Sequence, residues 1–282
     1  MDAPLCTYAF NTVSSIDMVP YPSISHLILT ADAGIGAIAH RIRTSTEDID
    51  AVDRLGRTAL IHTCSSQRPP LEKICIIHWL LAAGANVSHC DANNSTPISA
   101  LLQKPNMTIN IDILGVLLRA GSNPNITSRN GVTPLVLAVR SHDIENRNEA
   151  AQLLLSAGAS VYYGSKCDVT ILRIAILNYE TLGGADLINT LVRAGANVNY
   201  QDRCDQTTML MLVALMSGHN RHSVKIAKQL IDCGADARLT DAEDLAALSF
   251  TSERYNPAQG PCTLAVRDVI EAKLKATTAS SS

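Results

Sequence analysis

Apolar residues return along this chain in clusters that share one helix face, and each cluster stops at a glycine. Before Gly84 stand Ile76, Ile77, Leu80 and Leu81; before Gly195 stand Leu187, Ile188, Leu191 and Val192. A spacing of i, i+1, i+4 and i+5 paints one side of a helix, so each cluster predicts an amphipathic helix with a buried stripe. The same ending recurs as LLAAGANV (80–87), LLRAGSNP (117–124), LLSAGASV (154–161), LVRAGANV (191–198) and LIDCGADA (230–237). A glycine at that place predicts a left-handed C-terminal cap, a conformation that costs glycine little.

Glycines 84, 121, 158 and 195 are spaced by 37 residues, and Gly234 follows after 39. Twelve residues beyond each comes Thr96, Thr133, Thr170, Thr207 or Ala246, and TEDIDAVDRLGRTAL (46–60) puts Thr58 in the same slot. Thr96-Pro97 and Thr133-Pro134 predict a hydroxyl N-cap with proline in the first turn of a second helix. Each unit therefore reads as helix, loop, helix and extended turn. One such pair cannot bury its own apolar face, so the units must stack. Two residues before the threonine slot lie Gly56, Asn94, Gly131, Asp168, Asp205 and Asp244, all types that tolerate left-handed turns. The three aspartates there read as turn residues rather than as an acid–base pair.

These residues resemble the ankyrin repeat. Gly131 and Thr133-Pro134-Leu135 match its turn and first helix, and Ala194–Asn199 (AGANVN) matches the end of its second helix. The resemblance spans roughly residues 20–275 with two departures. The histidine of the T-P-L-H motif is replaced by Ile61, Ser99, Val136, Arg173 and Leu210, and the repeat is longer than the usual ~33 residues. Gly218-His219 matches the family's Gly-His after the first helix, so the HxxH of His219 and His222 reads as structural. The resemblance implies an all-α, ankyrin-type helix-turn-helix solenoid with short β-turn fingers, forming a single elongated curved domain. The expected organisation is an irregular arm (1–19), a solenoid (20–275) and a disordered tail (276–282). Within the solenoid lie an N-cap (20–53), five full repeats (54–240) and a C-cap (241–275). It also implies a non-enzymatic scaffold that binds another protein through its concave turn and inner-helix surface, as an adaptor or transcriptional co-regulator.

Composition narrows the function classes. Apolar residues make up 46% of the chain, charged residues 17% and aromatics 4%, which suits a globular protein packed through small-residue helices. A net charge of −3 argues against a general nucleic-acid binder and against a polybasic membrane anchor. No apolar run approaches membrane-span length and no leader-like start is present, so the expectation is a soluble, monomeric protein of the cytoplasm or nucleus. The eight cysteines include no CxxC pair. Cys167 and Cys204 lie one repeat apart, about 10 Å by helix-packing distance, beyond the ~7 Å disulfide limit. Reduced thiols, no metal and no cofactor are expected.

Candidate contact residues emerge as columns. Four places before the threonine slot stand Arg54, Arg129, Lys166 and Arg203, a basic ladder for an acidic partner surface. Their neighbours Asp53, Asp91, Asp202 and Asp241 leave open the alternative of simple solvated turn charges. Tyr163 and Tyr200 lie beside Lys166 and Arg203, and tyrosine and arginine dominate binding hot spots. Arg173, in the missing-histidine slot, extends the basic face. A second function class is a small-molecule binder or unusual enzyme using the groove of repeats 3–5, where Asp168, Asn178 and Asp205 add polar groups. No phosphate loop or hydrolase motif accompanies them.

Overall fold

The computed structural model describes residues 48–103, 109–141, 146–162, 170–178, 184–218, 220, 222–257 and 260–279. The expected N-terminal arm and most of the N-cap lie outside them. The chain divides into two compact units, Met1–Leu137 with Ser156–Gly158, and Ala138–Leu155 with Ala159–Ser282.

In the first unit, α1 (Ala59–Ser65) and α2 (Pro70–Ala82) form a hairpin, followed by α3 (Pro97–Leu102) and α4 (Ile111–Arg119). The start of α5 (Pro134–Arg140) belongs to this unit as well. Helix α1 packs on α3 and α2 on α4, so the hairpins stack in an inner and an outer row. Leu60, Ile61, Ile76, Ile77, Leu80, Ile98, Ile113, Leu114 and Leu117 are fully buried between the rows. Each such side chain contributes about 1.5–3 kcal/mol on leaving water.

The second unit holds the end of α5, then α6 (Arg147–Ser156), α7 (Ile171–Leu177), α8 (Gly184–Arg193), α9 (Met209–Met216) and α10 (Ser223–Asp232). A 3-10 turn at Ser249–Thr251 and the long α11 (Pro261–Ala279) follow. Again α7 meets α9 and α8 meets α10, while α11 covers α9 and α10 at the C-terminal end. The last turn of α11 includes residues 276–279, which were expected in a disordered tail. Buried Asn256 ties this end together. Its Nδ2 donates to the carbonyls of Ala214 and Phe250, and its Oδ1 accepts from the Gly218 amide at 3.0 Å.

The caps repeat as the pattern demands. Thr58, Thr96, Thr133 and Thr170 each accept, through Oγ1, the amide three residues on, at 3.2–3.4 Å. Gly84, Gly121, Gly158, Gly195 and Gly234 all take left-handed φ between 88° and 98°. The amide after each glycine bonds back to the carbonyl five residues earlier, as in Ala196 to Leu191 at 3.0 Å and Ala235 to Leu230 at 2.9 Å.

One repeat departs from the expected register. The N-cap of α9 is Thr208, not Thr207, and the left-handed residue of that turn is Gln206 (φ 55°), not Asp205. In a regular turn Asn94 N bonds Asp91 O and Asp91 N bonds Ser95 O; here Gln206 N bonds Asp202 O and Asp202 N bonds Thr207 O. One extra residue has entered the turn, which accounts for part of the longer spacing to Gly234. The missing-histidine slot of this repeat is consequently Met211, whose sulfur accepts the Thr208 amide at 3.3 Å.

Candidate partner-binding surface

The extended turns are fingers held by an aspartate at their base. Asp53 Oδ1 accepts the amides of Leu55 and Arg57, Asp91 Oδ1 those of Asn93 and Ser95, and Asp241 Oδ1 those of Glu243 and Leu245, all at 2.8–2.9 Å. Ser128 replaces the carboxylate in one finger, accepting Val132 N at 3.3 Å. These aspartates are the internal fastening of each turn, a role that outranks their effect on the surface field. Successive fingers are joined by single backbone bonds, Ala92 N to Leu55 O at 2.8 Å, Arg129 N to Asn93 O at 3.1 Å and Ala242 N to Asp205 O at 3.0 Å.

The bonding amide belongs to the residue just after the aspartate position, so that residue's side chain is left at the fingertip. Arg54 and Arg129 are exposed there in the first unit, and Arg203 in the second. Tyr200, at the base of the same finger, is half-buried. Tyr163 and Lys166, together with Cys167 and Asp168, lie outside the described residues.

Arg173 is paired within the fold. It is half-buried on α7, and its Nη1 lies 3.2 Å from Asp202 Oδ2 of the following finger. Its charge is matched within the fold instead of extending an open basic face. The Asp205 carboxyl is held below its usual value by hydrogen bonding to Thr207, with Arg173 adding a smaller pull. Burial works against ionisation of Asp53, but bonds from the Arg57 amide and guanidinium, the His62 ring and the Leu55 amide outweigh it and hold the carboxyl at about 2.

Sequence columns missed two exposed leucines at the C-terminal ends of the inner helices, the ends away from these fingers. Arg173 reaches the base aspartate of the following finger from α7, and Leu177 lies one turn further along the same helix face. Leu177 is 47% exposed, and Leu215, at the corresponding place on the adjacent α9, is 42% exposed. Arg140 holds that place on α5 and is exposed too. The equivalent positions in the first unit are Ser65 and Gln103. Burying a leucine saves 1.5–3 kcal/mol, so two adjacent uncovered leucines on a regular scaffold mark a contact surface more strongly than charge does.

Stacked helix hairpins, left-handed glycine caps and aspartate-fastened fingers define a helical-repeat protein. The family model for the ankyrin repeat matches residues 130–166, a span that takes in α5 and α6, and the all-helical stack around it is consistent with an ankyrin-repeat protein. No curated protein matches the sequence. The ankyrin repeat is a protein–protein interaction module. Among the described residues, no helix is long and apolar enough to cross a membrane.

Proposed function

We propose that this chain is a non-enzymatic scaffold that binds an acidic partner protein through the second unit. The contact surface is the row Arg140, Leu177 and Leu215 with the finger residues Tyr200 and Arg203. The observation that carries this reading is the pair of uncovered leucines on neighbouring inner helices, in one row with exposed Arg140. Inner helices stack at roughly 8–10 Å, which matches residues i and i+7 of a partner helix, at 1.5 Å per residue. The partner accordingly presents two aliphatic side chains at that spacing and carboxylates beside them. In sequence register Tyr163 and Lys166 are the counterparts of Tyr200 and Arg203 one repeat earlier, and the proposal includes them on that ground alone. Arg54 and Arg129 give the first unit a weaker, electrostatic share, and the protein acts as an adaptor or transcriptional co-regulator.

The test is affinity capture from native lysate with wild type, Leu177→Asp/Leu215→Asp and Arg203→Glu. Neither leucine is buried, so the double variant keeps the helical circular dichroism of wild type. A stoichiometric partner that is lost with the leucine variant and weakened by Arg203→Glu supports the reading. Equal recovery of that partner by all three proteins overturns the choice of surface.

A further inference from the structure

The outer helices of the second unit carry chemistry that the proposed partner surface does not use. Between α6 and α8 lies an open cavity of about 290 Å³, lined by Asn148, Gln152, Asp186, Asn189, Thr190 and Arg193. All six are polar or charged. Thr190 Oγ1 donates to Asn148 Oδ1 at 3.0 Å and accepts from Gln152 Nε2 at 3.5 Å. Asn189 Oδ1 accepts from Gln229 and from the Cys233 thiol on the α10 side. The seam positions held by Thr190 and Gln229 are Trp79 and Val116 in the first unit, so helix stacking itself does not demand this polarity.

These mutual bonds fix the amides in place before any ligand arrives. They leave Asn148 Nδ2 and Asn189 Nδ2 as donors and Gln152 Oε1 as an acceptor, without hydrogen-bond partners among the described residues. Asp186 and Arg193 make no ion pair among the described residues. They stand seven residues apart on α8, their backbone positions about 10 Å apart along its axis, and no ion pair joins them. Their places suit the helix dipole, which accounts for the position of each charge but not for the amide floor between them.

We propose that this cavity binds a short zwitterionic peptide of two or three residues. Its ammonium group sits on Asp186, its carboxylate on Arg193, and its main-chain amides on Asn148, Gln152 and Asn189. An extended chain advances about 3.3–3.6 Å per residue, so three residues span about the same 10 Å as the two α8 positions. A free α-amino acid carries both charges on one carbon and reaches only one end. A lipid or aromatic ligand finds no apolar wall. Preorganised donors and acceptors reduce the ordering cost that otherwise dominates the binding of so small a ligand.

The test is an NMR titration of the full chain with trialanine, following the side-chain amide signals of Asn148 and Asn189. Saturable shifts are expected at both. Trialanine blocked at both termini should bind at least tenfold more weakly, as should trialanine added to Arg193→Gln. Arg193 is exposed, so this variant keeps its fold, and unchanged main-chain signals outside α8 check that directly. The proposal is overturned by absence of saturable shifts, by equal binding of the blocked peptide, or by free alanine binding as tightly as trialanine.

Discussion

Replacing Gln206 by glycine should stabilise the protein, whereas the same replacement one residue earlier, at Asp205, should destabilise it. Gln206 holds a left-handed conformation, φ 55°, which costs a side-chain-bearing residue about 1–2 kcal/mol. Glycine relieves that cost and returns about 0.5–1 kcal/mol through the extra freedom of the unfolded chain. The finger's bonds to this residue use only its main-chain atoms and survive: Gln206 N to Asp202 O at 2.9 Å and Gln201 Nε2 to Gln206 O at 3.2 Å. The net gain is about 0.5–1 kcal/mol, a rise in midpoint of roughly 1–3 °C for a chain of this size. Asp205→Gly instead loses the carboxylate that accepts Thr207 N at 3.0 Å and adds the glycine entropy, a loss of about 1–2 kcal/mol. The helix cap gives a parallel contrast. Thr208→Ala should cost about 1 kcal/mol and Thr207→Ala less than about 0.5 kcal/mol. Urea titrations followed by circular dichroism read all four variants, with an unchanged m-value confirming comparable unfolding. A stabilised Asp205→Gly beside a destabilised Gln206→Gly would refute the inserted-residue register of this finger.

Other consequences are equally direct. Asp53 has its carboxyl depressed to about 2 from 3.8, so the stability it contributes is complete above pH 3.8 and is lost as the pH falls towards 2. An acid titration of Asp53→Asn should therefore be flatter than wild type in that window. Burial pushes the Cys64 thiol up to about 12, whereas Cys204 is exposed on a fingertip. A maleimide at neutral pH should label Cys204 in the native protein and Cys64 only after urea is added, as peptide mass mapping will show. Gly218→Ala would set a Cβ 2.5 Å from Asn256 Oδ1, whose side chain bonds the Gly218 amide and the carbonyls of Ala214 and Phe250. A loss of about 1–3 kcal/mol is expected in the same urea assay, with a neutral result excluding the Gly218–Asn256 approach.

The scaffold was legible in the sequence because it is written in conformational necessities. A left-handed glycine after each outer helix and a threonine before each inner one are choices the backbone imposes, and they repeat wherever the backbone repeats. The register of one finger was not legible, because Thr207 and Thr208 are both competent caps and only hydrogen bonding decides between them. That ambiguity also concealed the exposed row. Counting seven residues from Thr207 reaches buried Ala214, whereas counting from Thr208 reaches Leu215, the partner of Leu177. The basic column was visible at Arg54, Arg129 and Arg203, but the commitment of Arg173 to Asp202 was not. An arginine and an aspartate 29 residues apart meet only once inner helix and following finger are built.

The central claim, that Leu215 and Arg203 lie within a protein-binding surface, is tested most directly by site-specific photo-crosslinking. A benzophenone amino acid is placed singly at Leu215, at Arg203 and, as a control, at Leu71, which is 78% exposed on the first unit. Irradiation in native lysate should give one discrete heteromeric adduct from Leu215 and Arg203, identical in mass, and none of that mass from Leu71. The same adduct from Leu71, or no discrete adduct from either site on the second unit, would contradict the account.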